Sequence, residues 1–189
     1  MKSVLISIQP KWCELIASGK KTVEVRKTVP KLEPPFKCYI YCTNEKPFLV
    51  WGDVFDGGSF NNEFTHISGY NRKAAEEIWD IFNGNVMGEF VCDRIEEFTP
   101  TEKGIAFKRF RALYDTCLSL AEIREYLGGK VGYGWHIADL VIYDEPKALT
   151  EFRSYNCSVK WENGYPVPTH EIKRPPQSWC YVEGVGYVL

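Results

Sequence analysis

The sequence predicts an α+β fold, because segments with the hydrophobic period of strands alternate irregularly with segments that have the period of helices. Strand-like alternation, with a period of two, occurs at residues 3–9, 22–27, 36–43, 86–96 and 135–143. A period near 3.6, typical of amphipathic helices, occurs at residues 10–18, 71–83 and 118–127. The length of 189 residues suits one domain, since about 100–200 residues is typical. We therefore expect a single domain over residues 1–189 in which helices flank a sheet.

The chain begins with a strand and a short helix. Pro10 suits the first turn of a helix, where its missing N–H costs nothing. Trp12, Leu15 and Ile16 then share one helical face, and Gly19 fits the left-handed residue that closes a helix. The apolar stretch before Pro10 is too short for a secretory signal, so we expect a cytoplasmic protein.

The residues after this helix carry a group of charges. Lys20 and Lys21 lie where the negative end of the helix dipole favours cations. On the strand that follows, side chains alternate, so Glu24 and Arg26 share one face at about 6–7 Å. An amine, a carboxylate and a guanidinium on rigid elements are a common basis for binding and catalytic sites. The alternative is an ordinary solvent-exposed ion pair beside a helix end.

The next strand, at residues 36–43, divides cleanly into two faces. The face predicted to enter the core carries Phe36, Cys38, Ile40 and Cys42. The opposite face carries Lys37, Tyr39, Tyr41 and Thr43. Tyrosines beside a lysine offer a surface on which bases can stack, although tyrosines are also common on strands that bind nothing. We take Tyr41 as a candidate contact for nucleic acid.

Residues 44–84 are predicted to contain a long loop followed by a helix. Gly57, Gly58 and the Asn/Ser-rich stretch up to Gly69 indicate a long loop. The helix predicted at residues 71–83 has a stripe that we expect to pack, formed by Ala74, Ala75, Ile78, Trp79 and Phe82. Exposure of that stripe would instead indicate a docking surface.

Two further features lie in the second half of the chain. A second basic cluster, which either contacts phosphate or is a solvated face, consists of Lys103, Lys108, Arg109 and Arg111. Trp135 and His136 open a strand and point to opposite faces, so at most one of them lines a cleft with Lys21. His136 is the candidate contact, with a satisfied, partly buried histidine as the alternative. A closing strand is expected after Pro175.

The charge is close to neutral overall but unevenly distributed. The formal net charge is −2, which argues against tight nonspecific binding of nucleic acid. Residues 1–37 contain eight Lys or Arg against three Asp or Glu, whereas residues 44–100 contain four against eleven. The basic segment is the one with the candidate site, so a small anion or a few phosphates could be held locally.

The cysteines and histidines indicate neither disulfides nor a metal site. The seven cysteines form no Cys-x-x-Cys pair. Cys38 and Cys42 are about 13 Å apart on one strand, too far to share an ion, and free thiols are commonly buried. The three histidines are scattered. We expect no metal and no cofactor.

The order of these motifs resembles the ASCH domain family. The strand at residues 3–9 and the Pro10-x-Trp12 helix precede Ser18-Gly19-x-Lys21-Thr22-x-Glu24-x-Arg26 and the strand Tyr39-Ile40-Tyr41. The run Gly134-Trp135-His136-Ile137-Ala138-Asp139 is similar to a later strand of such proteins. The stretches at residues 143–146 and 175–182 resemble phage and prophage-type bacterial members. The resemblance implies a PUA-like mixed β-barrel with flanking α-helices, in which residues 44–84 are a helical insertion. It also implies a role in RNA binding or RNA-related chemistry.

The same resemblance raises the question of catalysis. The family includes amidohydrolases of N4-acetylcytidine, whose motif resembles Gly-x-Lys-Thr-x-Thr-x-Arg, with the lysine and second threonine taken as catalytic. Lys21 and Arg26 match this motif, but Glu24 stands at the place of that threonine. Ribonuclease activity is attached to other members. A lysine set beside other cations or partly desolvated can lose its proton, and Glu24 could then orient it.

Three hypotheses follow. The first is a module that binds RNA or a modified nucleoside in a cleft at Lys21, Glu24, Arg26 and Tyr41, with Lys20 and His136 as further contacts. The second is a hydrolase acting on a modified nucleoside or RNA, with Lys21 and Glu24 as an acid/base pair. The third is an interaction protein that docks a partner through the helix at residues 71–83.

Overall fold

The computed structural model describes residues 1–56, 59–102, 104–106 and 111–184. Its strands are β1 (Lys2–Ile8), β2 (Val23–Arg26), β3 (Phe36–Cys42), β4 (Phe48–Asp56), β5 (Ser59–Ile67), β6 (Val86–Thr101), β7 (Gly104–Ala106), β8 (Gly132–Lys147), β9 (Arg153–Glu162), β10 (Tyr165–Glu171) and β11 (Trp179–Glu183). Its α-helices are α1 (Pro10–Ala17), α2 (Arg72–Glu76), α3 (Arg111–Asp115) and α4 (Leu120–Leu127).

The large sheet has the strand order β10-β9-β11-β1-β3-β6-β8-β2, with β7 paired to β6. Strands β1 and β3 are parallel, whereas β3 with β6, β6 with β8 and β8 with β2 are antiparallel. The fold is therefore mostly β with a few short helices, which confirms the coarse α+β prediction. In the described part of the chain the end strands β10 and β2 do not pair, so closure into a barrel stays a prediction.

Strand β3 has core on both faces. Its apolar face enters the main core beside α1, as predicted. Its other face is covered by a second cluster that contains Phe152, Ile172 and Val182. Tyr39 is fully buried there, with its ring centroid 5.0 Å from that of Phe152. Tyr39 therefore has a structural role, and residues more than a hundred positions later in the sequence cover it.

Residues 44–84 differ most from the prediction. The expected loop is the antiparallel hairpin β4–β5, with Phe48 opposite Ile67, while Gly57 and Gly58 lie outside the described residues. The expected helix at 71–83 is only the five residues of α2. It ends early because the chain turns back onto the hairpin, where Ile81 bridges Val50 and the side chain of Asn83 accepts a hydrogen bond from Leu49 N.

The predicted stripe of this region is largely covered. Ala75 and Phe82 are buried and Trp79 packs against the hairpin, while Ile78 is 60% exposed. A mostly buried stripe counts against docking through this helix. The basic residues Lys103, Lys108 and Arg109 lie outside the described residues, as does the side chain of Arg111. Among the residues that are described, no helix has the length and apolar character required to cross a membrane.

Candidate functional site

A cavity of about 800 Å³ lies where α1, β2 and α4 meet the segment before β11. Three stretches of the chain line it: residues 7–45, residues 118–126 and residues 175–177. The lining residues are Ser7, Ile8, Gln9, Trp12, Lys21, Glu24, Val25, Arg26, Tyr41, Thr43, Asn44, Glu45, Leu118, Glu122, Glu125, Tyr126, Pro175, Pro176 and Gln177.

The turn from α1 into β2 is set by local sequence. Gly19 has φ +71°, a conformation that glycine adopts without strain. The chain then folds back, so that Lys21 N donates to Leu15 O at 2.9 Å. Thr22 N donates to Asp115 O at 3.0 Å, which fixes β2 against the end of α3. This turn directs the Lys21 side chain inward, where it is only 2% exposed.

The Lys21 ammonium has three acceptors for its three N–H groups. Nζ donates to Val23 O at 2.9 Å and to Thr116 O at 2.7 Å. Its third partner is Glu24 Oε2 at 3.2 Å. These three contacts match the three N–H donors of an ammonium group. Lys21 is therefore fully paired by groups of the protein itself.

Glu24 lies between two cations. Its Oε2 contacts Lys21 Nζ, and its Oε1 lies 3.0 Å from Arg26 Nη2. The side chain is 9% exposed, so both ion pairs are largely shielded from water. Lys21, Glu24 and Arg26 thus lie together at one hollow, as the sequence predicted. The alternative of an ordinary exposed ion pair is wrong, because all three residues are buried.

Several N–H donors of the Arg26 guanidinium already have partners within the protein. Its Nη2 also donates to Ser7 O at 2.6 Å, and Nη1 contacts Ser178 Oγ at 3.5 Å. Its Nε is buried and has no hydrogen-bond partner among the described residues. Leaving a buried donor unpaired costs free energy, but this Nε is shielded from solvent, so only the parts of Arg26 that line the cavity can meet a ligand.

The opposite face of β2 holds the strand in place. Val23 and Val25 are buried against Phe98, Ile123 and Leu127. The alternation of β2 predicted this division, but both faces are buried. The rigid apolar side explains how the short strand can present its ionic groups in fixed positions.

Helix α4 forms a wall of the cavity that sequence reasoning missed. Ser119 and Glu122 form a capping box at its start, and Gly128 ends it in the left-handed conformation. Ile123 and Leu127 face the core, whereas Glu122, Glu125 and Tyr126 line the cavity. The spacing i, i+3, i+4 of these last three residues was a usable signal, but nothing in the sequence indicated that α4 lies beside β2.

Tyr126 is close enough to the ionic groups to respond to them. Burial raises the pKa of its phenol, while Arg26 lowers that pKa and Glu24 raises it. Burial likewise raises the pKa of Tyr41, which lines the cavity although it is only 5% exposed. Both phenols are therefore protonated at neutral pH and can donate hydrogen bonds.

Lys20 and His136 do not line the cavity. Lys20 is exposed, and its carbonyl accepts from Cys117 Sγ at 3.2 Å. His136 Nδ1 lies 2.6 Å from Asp93 Oδ1, and neighbouring Trp135 is buried in the main core. Neither residue lies in the hollow that holds Lys21, so the structure separates both from the candidate site.

Cysteines near the site are poor nucleophiles. Cys13 is fully buried on α1, and burial raises its pKa well above the usual value, with Cys42 and Glu24 adding to the effect. A thiol rather than a thiolate is present at neutral pH, and only the thiolate is reactive. In the described ranges no three His, Cys, Asp or Glu residues are grouped so that they could hold a metal ion.

A sequence model of the ASCH domain matches residues 6–107. The chain is also similar to the crystal structure of ASCH from Zymomonas mobilis, with 17% identity and a TM-score of 0.50, covering 96% of this chain and 87% of that one. A crystal structure of a mutant of the same Zymomonas mobilis protein has 17% identity and a TM-score of 0.46, covering 97% of this chain and 91% of that one. No curated protein matches the chain.

Proposed function

The chain belongs to the ASCH domain family, and on this premise we propose that its cavity binds one base or nucleoside, either free or within RNA. The observation that carries the proposal is the buried group Lys21–Glu24–Arg26, which lines a cavity of about 800 Å³. Cavities for small molecules are commonly about 300–1,000 Å³, so this volume accommodates a nucleoside.

The polar groups complement the edge of a base. Glu24 offers carboxylate oxygens as acceptors, and Arg26 beside it offers guanidinium donors at the cavity wall. A base such as cytosine presents an exocyclic amino donor next to ring and carbonyl acceptors, which a neighbouring carboxylate and guanidinium can pair. Trp12, Tyr41 and Tyr126 provide aromatic surface in the same cavity, and bases readily pack against such rings.

Calorimetric titration of the four nucleosides, N4-acetylcytidine and a short RNA tests this proposal. We expect at least one of them to bind below millimolar concentration at low salt, and Lys21→Ala to weaken that binding roughly tenfold or more by releasing Glu24. Lys20→Ala is the matched control, because Lys20 is the adjacent lysine and lies outside the cavity. Equal binding by wild type and Lys21→Ala, or no binding by any ligand, would contradict the proposal.

The alternative is a hydrolase, favoured by the contact of 3.2 Å between Lys21 Nζ and Glu24 Oε2. Since Glu24 replaces the threonine nucleophile of the similar amidohydrolases, water would attack the acetyl carbonyl of N4-acetylcytidine. Glu24 would accept a proton from this water and pass it to N4 as the C–N bond breaks, which gives cytidine and acetic acid, which ionises to acetate. Release of cytidine or cleavage of RNA, abolished by Glu24→Gln, would distinguish turnover from binding.

Two further parts of the proposal rest on the motif resemblance: the relation to PUA-like domains with a closed barrel, and the prophage-type bacterial origin. A third part, the cytoplasmic location, is an expectation from the sequence. An experimental structure, the genomic neighbourhood and cell fractionation, respectively, test them.

A further inference from the structure

On the basis of this proposed function, we infer that the cavity accepts an uncharged base or nucleoside and discriminates against phosphate-bearing ligands. The groups that set this preference are three carboxylates at the cavity wall: Glu45, Glu122 and Glu125. The proposed function covers both a free nucleoside and a nucleotide within RNA. The preference against phosphate favours the free nucleoside.

The cations of the cavity are already compensated. Lys21 has all three N–H groups engaged, and Arg26 shares Glu24 with it. A phosphate that approached either cation would meet the carboxylate of Glu24 between them. It would also have to displace protein acceptors from a buried ammonium, which costs free energy.

The cavity as a whole is acidic. Its charged lining residues are two cations, Lys21 and Arg26, against four carboxylates, those of Glu24, Glu45, Glu122 and Glu125. The formal sum is therefore −2, whereas sites for nucleic-acid backbones are rich in uncompensated Lys and Arg. The basic N-terminal segment predicted a phosphate site, but the folded chain brings carboxylates from other segments to the same place.

Nearby lysines do not reverse this balance within the cavity. Lys11 Nζ lies 4.5 Å from the ring centroid of Trp12, and Lys27 Nζ lies 4.9 Å from that of Tyr126. Neither lysine belongs to the lining. Lys11 contributes to lowering the pKa of the Glu122 carboxyl, so it offsets part of one negative charge, but the carboxylates still outnumber the cations of the lining.

Glu122 is held as an anion. Its Oε2 accepts from Ser119 N at 2.8 Å and from Ser119 Oγ at 2.7 Å. These hydrogen bonds lower the pKa of its carboxyl. The negative charge at this wall is therefore present at neutral pH.

A ligand in the cavity can form hydrogen bonds with uncharged groups and can pack against aromatic rings. Gln9 and Gln177 add amide groups to the wall, beside the aromatic rings. Glu122, Glu125, Tyr126 and Gln177 all lie beyond residue 107, where the match to the ASCH domain ends. Two of the three wall carboxylates, those of Glu122 and Glu125, thus come from beyond that match, whereas Glu45 lies within it.

Calorimetric titration of cytidine, N4-acetylcytidine and their 5′-monophosphates tests the inference. At about 20 mM NaCl we expect each monophosphate to bind roughly tenfold more weakly than its nucleoside. At about 300 mM NaCl this ratio of dissociation constants should decrease, because salt screens the repulsion between the phosphate and the carboxylates. We expect the double substitution Glu122→Gln/Glu125→Gln to decrease the same ratio at low salt. Glutamine can still complete the capping box.

The control is Glu33→Gln/Glu162→Gln, which removes two exposed carboxylates that do not line the cavity and should keep the wild-type ratio of dissociation constants. The inference would be overturned if monophosphates bind as tightly as nucleosides, or if the ratio of their dissociation constants increases with salt. Neither result would contradict the proposed function. Absence of binding by all four compounds would refute the proposed function and this inference with it.

Discussion

At the scale of single residues, the candidate site is defined by how completely each ionic group is paired. Lys21 was predicted as a cation that could give up its proton, but its three N–H groups have three acceptors. Arg26 retains a buried Nε without a partner in the described residues. Lys21 is therefore fully paired within the protein, whereas Arg26 is paired only in part.

Replacement of Lys21 should destabilise the fold. Lys21→Met leaves Val23 O and Thr116 O without a donor and removes one of the two cations from Glu24. We expect a loss of about 2–4 kcal/mol in the free energy of unfolding, since breaking a buried ion pair costs more than an exposed one. Urea denaturation measures it. Lys20→Met should stay within about 0.5 kcal/mol of wild type, and equal effects of the two substitutions would show that Lys21 is not structural.

Buried thiols make stability depend on alkaline pH. Burial raises the pKa of Cys92 from 9.0 to about 12, with Asp93 adding to the effect. The folded state thus keeps this proton while the unfolded chain releases it. The stabilisation is complete below about pH 9 and is lost as the pH rises from about 9 towards 12.

Thermal denaturation of wild type and Cys92→Ala between about pH 8 and pH 10.5 tests this dependence. The melting temperature of the variant should decline less steeply with pH, although the variant is less stable at every pH because of the cavity. Cys157→Ala, at an exposed thiol, should keep the wild-type slope. Parallel slopes for wild type and Cys92→Ala would exclude the contribution of this thiol.

At the scale of elements, the site depends on the close fit of β2 against its neighbours. Gly134 on β8 is opposite Val25 of β2. A Cβ at Gly134 would lie 2.8 Å from both Phe98 Cζ and Val23 Cγ1. The strand that presents Glu24 and Arg26 therefore has no room to shift.

Gly134→Ala should accordingly destabilise the protein by about 1–3 kcal/mol, the usual cost of overpacking. Gly52→Ala is the matched control, because a Cβ there meets Trp79 at an ordinary 3.6 Å and should be neutral or slightly stabilising. The readout is the midpoint of chemical denaturation. A neutral Gly134→Ala would show that β2 and β8 can separate without cost.

At the scale of the whole molecule, the site is assembled from segments distant in sequence. β2 pairs with β8, and β1 pairs with β11. Ser7 N donates to Ser178 O at 2.9 Å, and Ser7 Oγ donates to Pro176 O at 2.6 Å. The part that matches the ASCH domain, residues 6–107, thus lacks the strands that hold its own motif in place.

A fragment of residues 1–107 should therefore fail to fold cooperatively. It would expose the edges of β1 and β2 that β11 and β8 cover, and would lose the α4 wall of the cavity. We expect no sigmoidal thermal transition by circular dichroism, whereas the full chain shows one. A cooperative transition in the fragment would mean that its core is sufficient without the C-terminal half.

The sequence by itself determined the helix α1, its glycine stop and the alternation of β2, because these depend on local propensity and on side-chain period. That was enough to predict that Lys21, Glu24 and Arg26 point the same way. Only the tertiary structure decided that Thr116, 95 residues further along, completes the shell of Lys21, that Phe152 covers Tyr39, and that α4 adds acidic residues to the cavity. These outcomes depend on packing between distant segments, and no local period encodes which segments meet.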